Sequence, residues 1–132
     1  FRSEPLVVDK WLTVQATSRL PGTLAEVRRL SQHPAFDIRN PNKVYALLRA
    51  FFGANPLHFH AADGSGYAFA AERILELDPI NPQVASRLAR TFDRWKKFDP
   101  ARQTHAKREL LRLRDTPDLS NDVAEIVLKA LE

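Results

Sequence analysis

The residues best suited to chemistry in this 132-residue chain are two histidines separated by one residue, His58 and His60. Imidazole nitrogens bind zinc, but a catalytic zinc needs a third protein ligand and an open coordination position. Asp63 or His105 could be the third ligand only if the fold brought it close to both histidines, which the sequence does not show. None of the four histidines is followed by glutamate, so a helical His-Glu-x-x-His motif is absent. We therefore predict no metal site, and interpret both histidines as loop residues that hydrogen-bond to backbone or water.

The run Asp63-Gly-Ser-Gly66 resembles part of a phosphate-binding loop. It lacks the Gly-Lys-Ser/Thr ending of a nucleotide loop and the third glycine of a dinucleotide fingerprint, and no strand precedes it. We interpret the run as a turn in which Ser65 caps the next helix. Glu72 and Glu76 lie one turn apart on a polar face, and nothing marks a nucleophile elbow or a catalytic triad. The sequence therefore predicts no catalytic residue in this chain.

A strongly basic segment covers residues 86–114 in a chain whose net charge is +4 and whose pI is about 9.8. It holds ten lysines and arginines against three acidic residues: Arg87, Arg90, Arg94, Lys96, Lys97, Arg102, Lys107, Arg108, Arg112 and Arg114. Such an excess of positive charge is typical of surfaces that bind nucleic acid or an acidic partner, so both kinds of partner have to be considered. The aromatic residues Phe92, Trp95 and Phe98 lie on the apolar stripe, whereas single-strand binders expose aromatics beside their cations. We predict a solvated or domain-docked face and no nucleic-acid partner.

The composition is that of an ordinary soluble globular protein, 44% hydrophobic and 27% charged. The absence of cysteine excludes disulfides and thiolate metal sites. No apolar run approaches the roughly 18 residues of a membrane span and no signal peptide is visible, so we predict no membrane partner. The chain begins at Phe1 and contains no methionine, which predicts a piece of a longer protein.

Helix-start signals recur along the chain at short intervals. After a first helix that begins at Pro5, they lie near Thr23, Asn40, Asn55, Ser65, Asn81, Asp99 and Ser120. Apolar residues follow each signal at steps of three and four, and no segment alternates as a strand would. We predict an all-α single domain over residues 1–132, with no sheet. Seven or eight helices would form hairpins stacked as an α-solenoid of HEAT or armadillo type. Asn40-Pro41 and Asn81-Pro82 lie 41 residues apart, which fits the period of such repeats, roughly 40–47 residues.

Three helix boundaries are predicted from specific signals. Thr23 and Glu26 have the spacing of a capping box, in which each side chain binds the other residue's backbone N–H. Gly53 would end the third helix. The apolar stripe that starts at Val84 continues to Trp95, which predicts one uninterrupted helix between them.

Three separated runs are similar to one known family. They are Asp9-Lys-Trp-Leu-Thr-Val-Gln-Ala-Thr17, His60-Ala-Ala-Asp-Gly-Ser-Gly-Tyr67 and Asn81-Pro-Gln-Val-Ala-Ser-Arg87. They resemble the C-terminal helical domain of bacterial aminopeptidase N, a family of zinc aminopeptidases of the gluzincin type. The resemblance extends from about Val7 to Leu131. It implies a non-catalytic C-terminal domain of a cytoplasmic enzyme that removes N-terminal residues from peptides. The zinc and the glutamate general base would lie upstream, in the catalytic domain of the same parent chain.

The resemblance also implies two substrate-binding residues, Arg87 and Gln83, one helical turn apart. In the family this domain folds back over the catalytic domain and closes an internal chamber. The arginine of the Asn-Pro-x-Val-Ala-Ser-Arg run then points toward the peptide substrate. A second arginine that some members carry falls at Tyr45 here, so a two-arginine grip is in doubt. From the residues alone, Arg87 could equally be a substrate-binding residue or one more surface cation of the basic face, and both interpretations stay open.

A second hypothesis belongs to a different class of protein. The chain would be a free-standing helical-repeat scaffold that binds an acidic partner, a peptide or nucleic acid through its basic face. The upstream coding sequence separates the two, because only an aminopeptidase would carry a His-Glu-x-x-His helix several hundred residues earlier.

Overall fold

The computed structural model describes residues 5–34 and 36–132, and all regular structure within them is helical. The predicted all-α fold without a sheet is confirmed for this part of the chain. Eight helices are present in it when the continuous helical run 41–54 is counted as one. The chain divides into two compact units, Phe1–Phe59 and His60–Glu132. The single domain over residues 1–132 stays a prediction.

The first unit is built from helices that begin close to the predicted positions. They are α1 (Pro5–Ala16), α2 (Thr23–Leu30), α3 (Pro41–Val44), a π-helical turn (Tyr45–Arg49), α4 (Ala50–Ala54) and α5 (Pro56–Phe59). The apolar stripes read from the sequence form its core, in which Leu12, Val27, Leu30, Leu47, Leu48, Phe51 and Phe59 are fully buried. No helix in the described residues is long and apolar enough to cross a membrane.

The π-helical turn between α3 and α4 is braced by α1. The Ala50 N–H reaches the Tyr45 carbonyl, five residues back, which marks the widened turn. The Thr13 hydroxyl on α1 donates to the Ala46 carbonyl at 2.9 Å. A buried Lys43 forms an ion pair with Asp9, also on α1. Helix α1 therefore satisfies polar groups that the irregular helix presents inward.

Asn55, and not Gly53, ends the third helical run. Helix α4 continues to Ala54, and a Cβ built on Gly53 would have no neighbour within 4 Å. Asn55 is 1% exposed, and its amide donates to the Ala16 and Ser18 carbonyls at 2.9 and 2.8 Å. The prediction that Gly53 ends the helix was wrong because a buried side-chain amide fixes this corner.

The capping box predicted at Thr23 and Glu26 does not form. Gly22, at a φ of 84°, occupies the cap position, and no side chain caps the first turn. The Thr23 hydroxyl donates to the Leu20 carbonyl at 2.7 Å, and Glu26 pairs with Arg29 instead. Because glycine readily adopts a left-handed conformation, the chain turns directly into α2 and places Thr23 inside the helix.

The second unit holds the longer helices of the chain. They are α6 (Ser65–Leu77), α7 (Pro82–Ala89), 3₁₀ turns at Arg90–Phe92 and Trp95–Lys97, α8 (Pro100–Arg114) and α9 (Asn121–Leu131). Helix α6 packs against α7 and α8, and α9 packs against the same two helices. Its core includes the fully or almost fully buried side chains of Tyr67, Phe69, Ile74, Leu88, Phe92, Leu110, Leu113, Val123 and Val127.

Side-chain caps fix the starts of three helices in this unit, as predicted. Asn81, Asp99 and Ser120 each accept a hydrogen bond from a backbone N–H of the first turn of α7, α8 and α9, respectively. Asp78, which is 5% exposed, accepts from the Ser120 N–H at 2.9 Å and from its hydroxyl at 2.5 Å. The end of α6 is thereby joined to the start of α9.

The predicted uninterrupted helix from Val84 to Trp95 is wrong beyond Ala89. Two 3₁₀ turns follow α7, and the Asp93 and Phe98 N–H groups each bond three residues back. Phe92 ends the first 3₁₀ turn, and Trp95 begins the second one three residues later. Both are buried, and the Trp95 indole N–H donates to the Ala130 carbonyl at 2.8 Å. The stripe was read correctly, but a helical period does not distinguish α from 3₁₀ geometry.

Candidate functional site

A furrow runs between α7 and α9 in the second unit. Helix α7 buries Val84, Ala85, Leu88 and Ala89 and turns its polar residues outward. A depression of about 410 Å³ is lined by Gln83, Ser86 and Arg87 of α7, by Arg90 of the 3₁₀ turn that follows, and by Asp122, Glu125 and Ile126 of α9. Concave sites for small ligands occupy about 300–1,000 Å³, so this depression has room for a short polar ligand.

A second depression of about 330 Å³ continues the furrow. It shares Arg90, Glu125 and Ile126 with the first, and Asp93, Lys129 and Ala130 complete its lining. We call the two depressions together the α7/α9 furrow. In the larger depression, Arg87 and Arg90 face Asp122 and Glu125 of α9, and the smaller depression adds Asp93 and Lys129.

Several of these charges are not neutralised locally. Within the described residues, Arg90, Asp122 and Glu125 make no side-chain hydrogen bond or ion pair, and all three are exposed. Elsewhere in the unit, by contrast, Arg102 pairs with Asp99 at 2.7 Å and Arg112 with Glu109 at 3.3 Å. The furrow therefore offers charged groups to a ligand.

The two residues predicted to bind substrate lie in this furrow. Gln83 and Arg87 are exposed, one turn apart on α7, and both line the larger depression. That they contact a substrate stays a prediction. Tyr45 belongs to the other unit, where it opens the π-helical turn and the Arg49 guanidinium lies 5.4 Å from its ring centroid.

His60 is held in a polar cluster. Its Nδ1 lies 2.7 Å from the Tyr67 hydroxyl, and its ring stacks on Phe98 with centroids 4.1 Å apart. The Arg102 Nε–H donates to the His60 carbonyl at 2.6 Å. Burial, and secondarily the charge of Arg102, lowers the pKa of His60. His60 Nδ1 thus forms a hydrogen bond with the Tyr67 side chain, whereas the sequence predicted a hydrogen bond to backbone or water.

The described residues do not fit a zinc ion. In residues 5–34 and 36–132, no three His, Asp or Glu side chains come together in an arrangement that could hold a metal. His58 lies in α5, and its backbone N–H donates to the Asn55 side chain at 3.4 Å. No chemical step is therefore assigned to a metal within this part of the chain.

The Asp63-Gly-Ser-Gly66 run forms a self-contained turn. The Asp63 carboxylate accepts from the Ser65 N–H at 2.9 Å and from its hydroxyl at 2.6 Å. These bonds from Ser65 lower the pKa of Asp63. The cap position of α6 is occupied by Gly64, at a φ of 78°, so the prediction that Ser65 is the cap was wrong. Because the donors that would bind a phosphate already serve Asp63, the turn is not arranged to bind an anion.

The basic segment turns its cations outward and its large aromatics inward. Nine of its ten cations are exposed, and Arg102, in the His60 cluster, is half-buried. Phe92 and Trp95 are 1% and 8% exposed. The interpretation of these two aromatics as core residues is confirmed, and they do not form a stacking platform.

The comparison that decides the family covers the whole chain. Residues 1–132 match the protein family described as Domain of unknown function (DUF3458_C) ARM repeats. This chain belongs to that ARM-repeat family. The predicted helical-repeat array agrees with the family's description.

Relatives of this ARM-repeat chain are aminopeptidases. It is 46% identical to aminopeptidase N of Escherichia coli over 126 residues, which are 96% of this chain and 14% of the relative. It is 41% identical over 131 residues to aminopeptidase N of Caulobacter vibrioides, covering 99% of this chain and 15% of that protein. The crystal structure of Legionella pneumophila aminopeptidase A in complex with aspartic acid is similar, with a TM-score of 0.91 and 38% identity over 97% of this chain. The chain spans about 15% of that structure's length, and the predicted resemblance is confirmed.

The sequence pointed to one wall of the furrow and missed the other. Asp122, Glu125 and Ile126 lie on α9, about 40 residues after Arg87. Their three- and four-residue spacing places them on neighbouring rows of one helix, which is readable from the sequence. That this side of α9 lies opposite α7 depends on tertiary packing.

Proposed function

We propose that this chain is the non-catalytic C-terminal domain of a zinc aminopeptidase, where it closes the active-site chamber and lines the path of the peptide substrate. The observation that carries the proposal is the likeness to aminopeptidases over nearly the whole chain at 38–46% identity. Its partners would be the catalytic domain of the same parent chain and a peptide, in the cytoplasm.

In this proposal, the zinc of the catalytic domain supplies Lewis acidity toward the scissile carbonyl, and this chain supplies binding. Its described residues hold no metal cluster and no acid–base constellation. A guanidinium presents planar, paired donors that match a carboxylate. Arg87 would bind the C-terminal carboxylate or a carbonyl of the peptide beyond the scissile bond, and Gln83 would add an amide hydrogen bond one turn away.

The test is Arg87→Ala in the intact enzyme, assayed on a tripeptide and on an aminoacyl arylamide. The arylamide has no peptide tail for Arg87 to hold. A hydrogen bond to a charged group contributes about 1.5–3 kcal/mol, so we expect a roughly ten- to hundred-fold rise in KM for the tripeptide. The kcat should change little if the contact is equally strong in the ground and transition states. The arylamide should be almost unaffected.

Arg94→Ala is the matched control, because Arg94 is also an exposed arginine of the basic segment but lies outside the α7/α9 furrow. It should leave both substrates unaffected. Arg87→Lys keeps the charge without the paired donors and should fall between wild type and Arg87→Ala. Equal losses on tripeptide and arylamide, or losses that follow a fall in Tm, would contradict the proposed role of Arg87.

A further inference from the structure

In the larger depression of the α7/α9 furrow, the two sides carry opposite charges. In the smaller depression, Asp93 follows Arg90 and Lys129 follows Glu125, so the charges there are mixed. Arg87 and Arg90 lie on the α7 side of the larger depression, and Asp122 and Glu125 lie on the α9 side. Arg90, Asp122 and Glu125 have no side-chain partner among the described residues. A simple anion would meet favourable charge on one wall and repulsion from the other. A ligand with a negative and a positive group is complementary to both.

An apolar surface adjoins the two acidic residues on α9. Ile126 is half-buried, lines both depressions and follows Asp122 by one turn of α9, and Ala130 extends this surface by a further turn. Long cationic side chains pack their methylene stems on such surfaces while the charged end reaches a polar partner. The larger depression thus combines three elements: the cations Arg87 and Arg90, the apolar Ile126 and the carboxylates Asp122 and Glu125.

We propose that the α7/α9 furrow selects short peptides whose C-terminal residue is lysine or arginine. The C-terminal carboxylate binds the Arg87–Arg90 wall, the side-chain stem packs on Ile126, and the side-chain cation pairs with Asp122 and Glu125. This rests on the proposed function and deepens it by naming the substrate class. Peptides that end in glutamate are disfavoured, because their side chain meets two carboxylates.

The test compares tripeptides that differ only in the third residue, assayed with the intact enzyme. Lysine, norleucine and glutamate at that position give a cation, an apolar side chain of similar length and an anion. We expect the KM for the lysine peptide to be about two- to five-fold below that for the norleucine peptide, which is the change an exposed ion pair supports. The glutamate peptide should have the highest KM.

The double variant Asp122→Asn/Glu125→Gln keeps the shape of the furrow and removes its negative charge. It should abolish the advantage of lysine over norleucine in KM. Asp115→Asn is the matched control. Asp115 is an exposed carboxylate of the same unit that lies outside the furrow and pairs with Arg114. This variant should keep the lysine preference.

Two outcomes separate this inference from the proposed function. A lysine preference that persists in the double variant, or that is absent from wild type, overturns the charge-paired furrow even when Arg87→Ala impairs tripeptides selectively. Failure of Arg87→Ala to distinguish tripeptide from arylamide contradicts the substrate-binding role of Arg87 within the proposed function. Amidation of the lysine peptide should raise its KM in wild type, because it removes the carboxylate that the arginine wall binds, and an unchanged KM would contradict that placement.

Discussion

Two glycines show how single residues constrain this fold differently. Gly22 and Gly64 both occupy helix cap positions at positive φ, 84° and 78°. A Cβ on Gly22 would meet nothing within 4 Å, whereas one on Gly64 would lie 2.6 Å from Cγ of His105. The two positions therefore separate the cost of backbone conformation from the cost of a steric clash.

We expect Gly22→Ala to lower the free energy of unfolding by about 1 kcal/mol, since an L-residue is strained in this conformation. Gly64→Ala should lower it by about 2–4 kcal/mol, because overpacking costs a further 1–3 kcal/mol or so. Chemical denaturation measures both. Adding His105→Ala to Gly64→Ala should bring the loss back toward that of Gly22→Ala. Equal losses for the two single variants would rule out the clash with His105.

At the residue scale, the sequence could predict hydrogen bonds between residues that are close along the chain, but not those between distant residues. Asn81, Asp99 and Ser120 each cap a helix by accepting from a backbone N–H three residues later, and all three were read correctly as caps. Asn55 bonds to carbonyls 37 and 39 residues away, and Asp78 bonds to Ser120, 42 residues away. Local patterns do not contain these pairings. Arg87 was predicted through the family resemblance, and Glu125, on the other wall of the furrow, was not.

At the scale of elements, the start of α8 is tied to the residues that precede α6 through His60. Arg102 of α8 donates to the His60 carbonyl, and Asp99, the cap of α8, holds the same guanidinium. The His60 ring lies between Phe98 and Tyr67 of α6. A charge on that ring would be placed in a partly buried cluster that already contains the cation of Arg102.

This arrangement predicts a stability that falls in mild acid. Since the pKa of His60 is lowered from its ordinary value of 6.5, the unfolded chain takes up the His60 proton at a higher pH than the folded one. Stability therefore rises with pH wherever the unfolded state binds more protons. The contribution is complete above about pH 6.5 and is lost as the pH falls through the folded pKa. The measurement is the denaturation midpoint between pH 5 and 8, and His60→Gln should flatten this part of the profile. If the denaturation midpoint of His60→Gln still fell with pH as in wild type, groups other than His60 would be responsible.

Element boundaries were the weakest part of the sequence analysis for a physical reason. Apolar spacing identified buried residues of α2, α6, α7 and α9, because burial follows the helical period. In α1, by contrast, the apolar Val7 and Val14 are exposed. The spacing could not tell that α7 gives way to two 3₁₀ turns after Ala89, since Phe92 and Trp95 are still buried there. Thr23 and Ser65 were predicted to cap α2 and α6. Gly22 and Gly64, at positive φ, occupy those cap positions instead.

At the scale of the whole molecule, we expect the isolated 132-residue chain to be folded and catalytically inert. The stripes and caps give each unit its own core, whereas the described residues bring no three metal-ligating side chains together. Circular dichroism should show a helical protein that melts cooperatively. Aminoacyl-arylamide hydrolysis should be absent with and without added zinc. Zinc-dependent turnover by the pure chain would contradict the division of roles between this domain and a separate catalytic domain.

The π-helical turn at Tyr45–Arg49 has a consequence for how the length of this chain can change. A π turn corresponds to one residue more than an α-helix needs to connect the same two ends. Losing one residue elsewhere in a helix rotates everything beyond it by about 100° and would turn Phe51 and Phe52 away from their core. Losing one residue within this turn would instead convert it to a regular α-helix with both flanks still in register. Homologous chains can therefore differ in length by one residue within this segment while the same residues, including Phe51 and Phe52, stay buried.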